Sequence, residues 1–337
     1  MKKIFNLIVS FVLLAGFSAC NKDGSDKPGL PPAPVPTVNY KGLTFISSGN
    51  STVCLAKVGT PDGITLEYST DESQWNPYTL GEKISLADGT FLLFRAGEQK
   101  NLTFSKGSDS YYHFEISGPV SAQGNIMSLL DRDFSTPLST NAFFALFEGC
   151  KSLLSAPELP ATTMAQGCYF RMFAECTGLK SAPELPAEAL AYNCYGRMFK
   201  GCSALTYVPD LPATKMEAYC YNSMFANCTS LKFAPELPAK RLDTGCYHCM
   251  FEGCTSLTSA PELPATELVS NCYEFMYKDC RNLRYVIGLF TTEPSKKTTE
   301  DWLSGVAASG TFIKSEKATW DVTGAHGVPE GWKIETW

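Results

Sequence analysis

Apolar side chains recur through the second half of the chain at a fixed interval of 26 residues. The stretch CYFRMFAEC runs from Cys168 to Cys176, and its counterpart CYGRMFKGC runs from Cys194 to Cys202. Two cysteines, a Met-Phe pair, a leucine and a set of prolines return together at this interval. A fixed interval between about 20 and 50 residues is typical of stacked units that bury their apolar faces against one another. The pattern therefore predicts a solenoid.

Within one unit the apolar positions follow helical spacing, which predicts a helical segment. On a wheel of about 100° per residue, one face carries the side chains that hardly change between units: Cys168, Tyr169, Met172, Phe173 and Cys176. The other face carries side chains whose counterparts vary: Phe170, Arg171, Ala174 and Glu175. The following LKSAPELPA predicts a short strand that ends near Ala182, because Pro183 has no N–H to donate. One unit is thus expected to form a strand, a proline bend and a helix.

Residues 39–118 have a different pattern, with short strand-like runs such as STVCLAKV and YYHFEIS separated by turn residues. Runs at this spacing predict an all-β, Ig-like sandwich. Tyr68, Trp75 and Tyr78 lie close together in this region. They are interpreted either as core and corner residues or as exposed rings that stack on sugars.

The first residues predict an exported lipoprotein. Lys2 and Lys3 precede an apolar run that is too short to span a bilayer comfortably and ends in GFSAC. Residues 1–20 are therefore expected to be a signal peptide and lipobox, with Cys20 as the lipidated residue. An ordinary signal peptide cut near Ala19 is the alternative. The proline-rich residues 21–38 are expected to form a semi-rigid linker.

The repeat also carries a family resemblance. Its consensus, MFxxCxSLxxAPELPAxxLxxxCYxxMF, resembles the BspA-like, leucine-rich surface repeats of lipoproteins from gut and oral anaerobes. The resemblance covers residues 141–289, although the LxxLxLxxN pattern of standard leucine-rich repeats is missing. It implies a curved cell-surface solenoid, adhesion through host or matrix proteins, and no catalytic residues.

Together these features predict a β-sandwich followed by an α/β solenoid of leucine-rich-repeat type. The 26-residue repeats are assigned to residues 146–285. Because solenoid ends need capping, residues 119–145 are expected to form the N-terminal cap and residues 286–337 the C-terminal cap. The lipid at Cys20 would be the membrane attachment, and we expect the protein at the outer membrane, exposed on the cell surface.

The repeated cysteines allow two interpretations. Export favours disulfides, and the plausible partners lie 18 residues apart, as in Cys176–Cys194 and Cys202–Cys220. Recurrence on the apolar face favours buried free thiols instead, which is the interpretation we prefer. Zinc is not expected, because a structural site needs four converging ligands; the single CYHC sequence, Cys246 to Cys249, occurs in one repeat only.

Composition and motifs argue against several classes of function. A net charge of −6 offers no electrostatic footprint for nucleic acid. His113, His248 and His326 lie far apart without a catalytic motif around them. One carboxylate per repeat, at Glu158, Glu184, Asp210, Glu236 and Glu262, suggests a solvated acidic stripe. We therefore expect no enzyme activity, cofactor or metal.

The expected function is a cell-surface adhesin or protein-binding module, with a host or matrix protein as its partner. The alternative is a surface lipoprotein that captures polysaccharide, through the sandwich aromatics or the solenoid. Variable positions on the outer face are the candidate binding residues: Phe170, Arg171, Arg197, Asn222, His248 and Glu274.

Overall fold

The computed structural model describes residues 41–98 and 102–337, and residues 39–337 form one compact unit. Cys20 and the predicted linker, residues 21–38, lie outside the described residues. No helix in the described part of the chain is both long and apolar enough to cross a membrane.

The N-terminal half is built from antiparallel strands. They are β1 (Leu43–Ser47), β2 (Ser51–Val58), β3 (Leu66–Ser69), β4 (Asn76–Pro77), β5 (Ile84–Leu86), β6 (Phe91–Ala96), β7 (Ser105–Gly107), β8 (Ser110–Ser117) and β9 (Val120–Gln123). A short 3-10 helix, Ile126–Leu129, follows. Strands β10 (Leu153–Ser155), β11 (Ser259–Leu263), β12 (Tyr285–Gly288), β13 (Thr311–Lys314) and β14 (Lys333–Thr336) belong to the second half.

Two sheets make the sandwich-like first half, in agreement with the predicted strands. One has the order β10-β9-β1-β6-β3-β4 and the other the order β5-β2-β8-β7. Alternation along β8 buries Tyr112 and Phe114, while Glu115 faces solvent. Phe114 lies edge-on to Phe45, with ring centroids 5.0 Å apart. Apolar residues from both sheets therefore form the core of this half.

The second half is a solenoid whose coils stack from the sandwich towards the C-terminus. It begins where β10 pairs parallel with β9, and it ends in the parallel sheet β11-β12-β13-β14. In the intermediate coils, isolated parallel bridges such as Ser181 with Tyr207 and Phe233 with Ser259 take the place of longer strands. A solenoid of 26-residue coils was the prediction, and the structure has one.

The predicted helical segments are wrong: residues 41–98 and 102–337 contain no α-helix. The segment from Cys168 to Cys176 is a series of turns. Its backbone N–H groups donate alternately to a carbonyl of the same coil and to a carbonyl of the next coil. Met172 N donates to Tyr169 O in the same coil at 3.2 Å, whereas Phe173 N donates to Met198 O in the next coil at 2.9 Å. The α/β architecture is therefore replaced by an all-β one.

A left-handed residue at every fourth position makes this turn pattern possible. In one coil the three are Gly167, Arg171 and Glu175, with φ of 59°, 59° and 60°. The first and third positions of other coils are often Gly or Asn, the residues that adopt this region most easily. The middle position never is, since it holds Ala145, Arg171, Arg197, Ser223, Cys249 and Phe275.

Aromatic ladders fill the solenoid core. One runs from Phe147 through Phe173, Phe199 and Phe225 to Phe251 and Tyr277, with successive ring centroids 5.3 to 5.7 Å apart. A second runs through Tyr169, Tyr195, Tyr221, Tyr247 and Tyr273 at 5.8 to 5.9 Å. Phe114 of β8 stacks on Phe147 at 5.2 Å, so the sandwich and the solenoid share one core.

Tryptophan side chains take over the core at the C-terminal end. Trp302 stacks on Tyr273 at 6.2 Å, and its indole nitrogen donates to Gly327 O at 2.8 Å. Trp320 stacks on Phe290 at 5.2 Å. Lys314 is buried beside them, where its ammonium donates to Trp320 O and to Asp321 Oδ1. The tyrosine ladder therefore ends at Tyr273, where Trp302 of residues 286–337 stacks on it.

Candidate binding surfaces

The predicted site residues all lie on one surface of the solenoid, formed by the variable residues of the turn segments. We call it the turn face; it comprises the equivalents of Phe170 and Arg171 in each coil. Phe170 stacks on Phe144 of the preceding coil at 5.5 Å. The guanidinium of Arg197 lies 5.9 Å from the Phe170 ring centroid. Arg171 forms an ion pair with Glu148.

The other predicted residues on this surface form a polar chain across three coils. The amide nitrogen of Asn222 donates to His248 Nδ1 at 2.7 Å. His248 Nε2 lies 3.6 Å from Glu274 Oε2 and 3.8 Å from Cys249 Sγ. Burial lowers the pKa of His248, against the opposing effect of the Glu274 carboxylate, so the imidazole is neutral at pH 7.

The local backbone explains why these side chains face outward. In each turn segment two pairs of residues point inward, such as Cys168–Tyr169 and Met172–Phe173. Phe170 and Arg171 lie between the two pairs and are half-buried. Because each coil bonds in register to the next, equivalent side chains line up at the spacing of parallel strands, about 4.8 Å. Exposure along the turn face varies: Arg197 is exposed, whereas Ser223 and Cys249 are buried.

A second surface of the solenoid was not predicted as a site. We call it the strand face, because it is formed by the exposed residues at and next to the parallel bridges and strands of the coils. It carries three exposed aromatic side chains at one repeat position, which we call the aromatic column: Tyr207, Phe233 and Tyr285. The basic column, Lys180, Lys232 and Arg284, precedes it by one residue. The acidic column, Glu184, Asp210, Glu236 and Glu262, holds four of the five carboxylates of the predicted stripe. The recurring pairs Lys232-Phe233 and Arg284-Tyr285 were the available sequence signal.

The sandwich aromatics are engaged within the protein. The hydroxyl of Tyr78 accepts from Leu55 N and donates to Glu82 O, and its ring lies edge-on to Phe94 at 5.1 Å. Tyr68 contacts Tyr78 at 6.4 Å, and Arg95 covers the Trp75 ring at 3.7 Å. Tyr68 and Tyr78 pack against the core, whereas Trp75 is half-buried beside Arg95.

The structure has all thirteen cysteines of the described residues as buried free thiols. The 18-residue disulfide pairs are therefore not formed, and Cys176 interacts electrostatically with the equivalent cysteines Cys150 and Cys202. Burial raises the pKa of Cys249 and of Cys254 to about 12, which keeps both thiols protonated and unreactive. Among residues 41–98 and 102–337, no three His, Cys, Asp or Glu side chains are grouped to hold a metal ion.

The described surface includes a depression of about 400 Å³ between neighbouring coils. Its lining is Thr162, Pro186, Glu188, Ala189, Thr214 and Lys215. Two of its side chains are ionisable, Glu188 and Lys215, and the backbone N–H of Lys215 donates to Glu188 O at 3.2 Å.

No protein-family model, curated protein or solved structure matches this chain.

Proposed function

We propose that this chain is a non-catalytic, cell-surface lipoprotein whose turn face binds a host or matrix protein, as the BspA-like resemblance implies. The observation that carries the proposal is the arrangement of Arg171, Arg197, Asn222, His248 and Glu274 on neighbouring coils of one face. Their chemistry changes from coil to coil, whereas the inward side chains repeat. The pattern of charge along the turn face therefore differs from coil to coil, which can select one partner over another.

The shape of the turn face supports a macromolecular partner. A standard protein interface buries about 800 Å² on each partner, which an elongated strip along several coils can provide. Arginine and aromatic side chains are also the types that dominate binding energy in interfaces. Arg197 is exposed, and Phe170 lies directly beside it.

The test of the proposal is charge reversal on the turn face. Retention of the protein would be measured on immobilised fibronectin, laminin and collagen, before and after Arg171→Glu and Arg197→Glu. We expect at least a tenfold loss of affinity for the partner that binds. Arg241→Glu is the matched control, since Arg241 is an exposed arginine of the solenoid outside the turn face. A loss of affinity from Arg241→Glu equal to that from the turn-face reversals would contradict the proposal.

Lipid anchoring at Cys20 is a separate part of the proposal. A Cys20→Ser variant lacks the acyl chains, each of whose buried methylenes contributes about 0.8 kcal/mol to membrane binding. The wild-type protein is expected in the detergent phase of a Triton X-114 partition and the variant in the aqueous phase. Detergent-phase recovery of the variant would rule out the lipid as the membrane attachment.

A further inference from the structure

Three large aromatic side chains are exposed at equivalent positions of the strand face. The exposed fractions are 45% for Tyr207, 60% for Phe233 and 38% for Tyr285. Parallel bridges set the register: Ser181 pairs with Tyr207, Phe233 with Ser259, and Ser259 with Tyr285. These rings are outside the buried ladders that hold the coils together. Tyr207 and Phe233 on adjacent coils, with Tyr285 beyond Ser259, form an aligned set of exposed rings, and exposed apolar patches are typical of binding sites.

The spacing of the aromatic column suits a linear chain of flat rings. Equivalent positions in adjacent coils are about 4.8 Å apart, the separation of hydrogen-bonded strands. A pyranose ring in an extended polysaccharide advances by a similar distance. Tyr207 and Phe233 are one coil apart, and Ser259 leaves a gap between Phe233 and Tyr285. A sugar chain parallel to the solenoid axis can therefore place successive rings over the column.

Charges on the two sides of the column have opposite sign. Lys180, Lys232 and Arg284 are exposed on one side, with Thr206 and Thr258 in the coils between them. On the other side, Glu236 lies next to Asp210 and Glu262, and partial burial together with these two carboxylates raises its pKa. A polyanion is attracted by the first column and repelled by the second, and a polycation meets the reverse.

A neutral polyhydroxylated chain can form hydrogen bonds with both the acidic and the basic column. Its hydroxyl groups donate to the carboxylates of Asp210 and Glu236, and accept from the ammonium of Lys232. The apolar faces of its rings cover Phe233 and Tyr285 and remove them from water. Hydrogen bonds to charged groups are the stronger kind, so alignment of the chain is favoured as well as its binding.

We propose that the strand face is a binding site for a neutral linear polysaccharide, with the aromatic column as its stacking platform. The site is separate from the turn face and does not depend on the protein-binding function. Phe233, the most exposed ring of the three, is the central stacking residue, and Lys232 and Glu236 are its polar neighbours on either side.

The experiment uses the full chain carrying Cys20→Ser and isothermal titration with cellohexaose, xylohexaose and mannohexaose. At least one hexasaccharide is expected to bind, and Phe233→Ala is expected to weaken it tenfold or more. Tyr192→Ala is the matched control, because Tyr192 is 46% exposed but lies outside the column. Glu236→Gln, a change at an exposed side chain, is a second variant that should also weaken binding.

Charged probes decide between partner classes. Polygalacturonate and polylysine are titrated alongside the neutral sugars, at low and at high salt. The affinity of a neutral chain should be nearly independent of salt, whereas that of a charged chain should fall. Tighter binding of either charged polymer, no binding of any neutral hexasaccharide, or equal effects of Phe233→Ala and Tyr192→Ala would overturn the proposal. Arg171→Glu should leave sugar binding unchanged, which separates this result from the fate of the turn-face proposal.

Discussion

The thiol of Cys228 donates a hydrogen bond to the carbonyl oxygen of Phe199 in the adjacent coil, with Sγ and O 3.2 Å apart. The same contact repeats along the solenoid at 3.0 to 3.1 Å, in the pairs Cys150–Phe114, Cys176–Phe147, Cys202–Phe173, Cys254–Phe225 and Cys280–Phe251. The carbonyls of the solenoid phenylalanines also accept a backbone N–H from their own coil, as Phe199 O does from Cys202 N. The thiols thus connect neighbouring coils inside the core.

Alkylation is expected to show these thiols as free and inaccessible. In Cys20→Ser protein, iodoacetamide at pH 8 should leave the thirteen buried cysteines unmodified while the protein is folded. In denaturant without reductant, mass spectrometry should find thirteen carbamidomethyl groups. Thr229→Cys, at an exposed position, is the control that reacts in the folded state. A shortfall of two groups, or any even number, would indicate disulfides instead.

The free energy of unfolding is expected to fall at alkaline pH. Burial raises the pKa of the Cys150, Cys168 and Cys254 thiols from 9.0 to about 12. The folded state therefore holds protons that the unfolded state releases, and the stabilisation is complete below pH 9 and lost as pH rises towards 12. Urea unfolding at pH 7.5, 9 and 10.5 measures the trend. Cys254→Ala should make the decline shallower; a stability that is constant over this range would contradict it.

Glycine and alanine at position 197 distinguish a turn from a helix. Arg197 has φ of 56°, a region in which any residue with a Cβ is strained. We expect Arg197→Gly to be more stable than Arg197→Ala by about 1 kcal/mol, since glycine adopts this region without the steric penalty. In a helix the order would be reversed by about 1 kcal/mol. Paired urea unfolding curves of the two variants give the sign directly.

Loss of one ring from the phenylalanine ladder should destabilise the whole unit. Phe225 is 1% exposed and stacks between Phe199 and Phe251 at 5.7 and 5.6 Å. Phe225→Ala leaves a cavity and is expected to lower the free energy of unfolding by about 3–5 kcal/mol. Thr229→Ala, at an exposed site of the same coil, should change it by less than about 0.5 kcal/mol. Similar losses in the two variants would mean that the ladder is not the core.

The sequence by itself determined the inward positions of the solenoid. Tyr169, Met172 and Phe173 were predicted as buried, and each is fully buried. The prediction succeeds because burial repeats with the 26-residue interval, whatever the backbone does between the repeats. The prediction that places Ala174 on the outer face is wrong, since this side chain is only 4% exposed.

The conformation of the same segment was decided only by tertiary structure. From Cys168 to Cys176 the turns bring residues inward with a period of four, and over so short a stretch this differs little from the helical 3.6. What separates the two is the hydrogen-bond partner: Phe173 N reaches Met198 O, 25 residues away, rather than a carbonyl in its own turn. Such a bond depends on the neighbouring coil being in place. For the same reason the aromatic column exists only after stacking, which brings Tyr207, Phe233 and Tyr285 to one face from positions that are far apart along the chain.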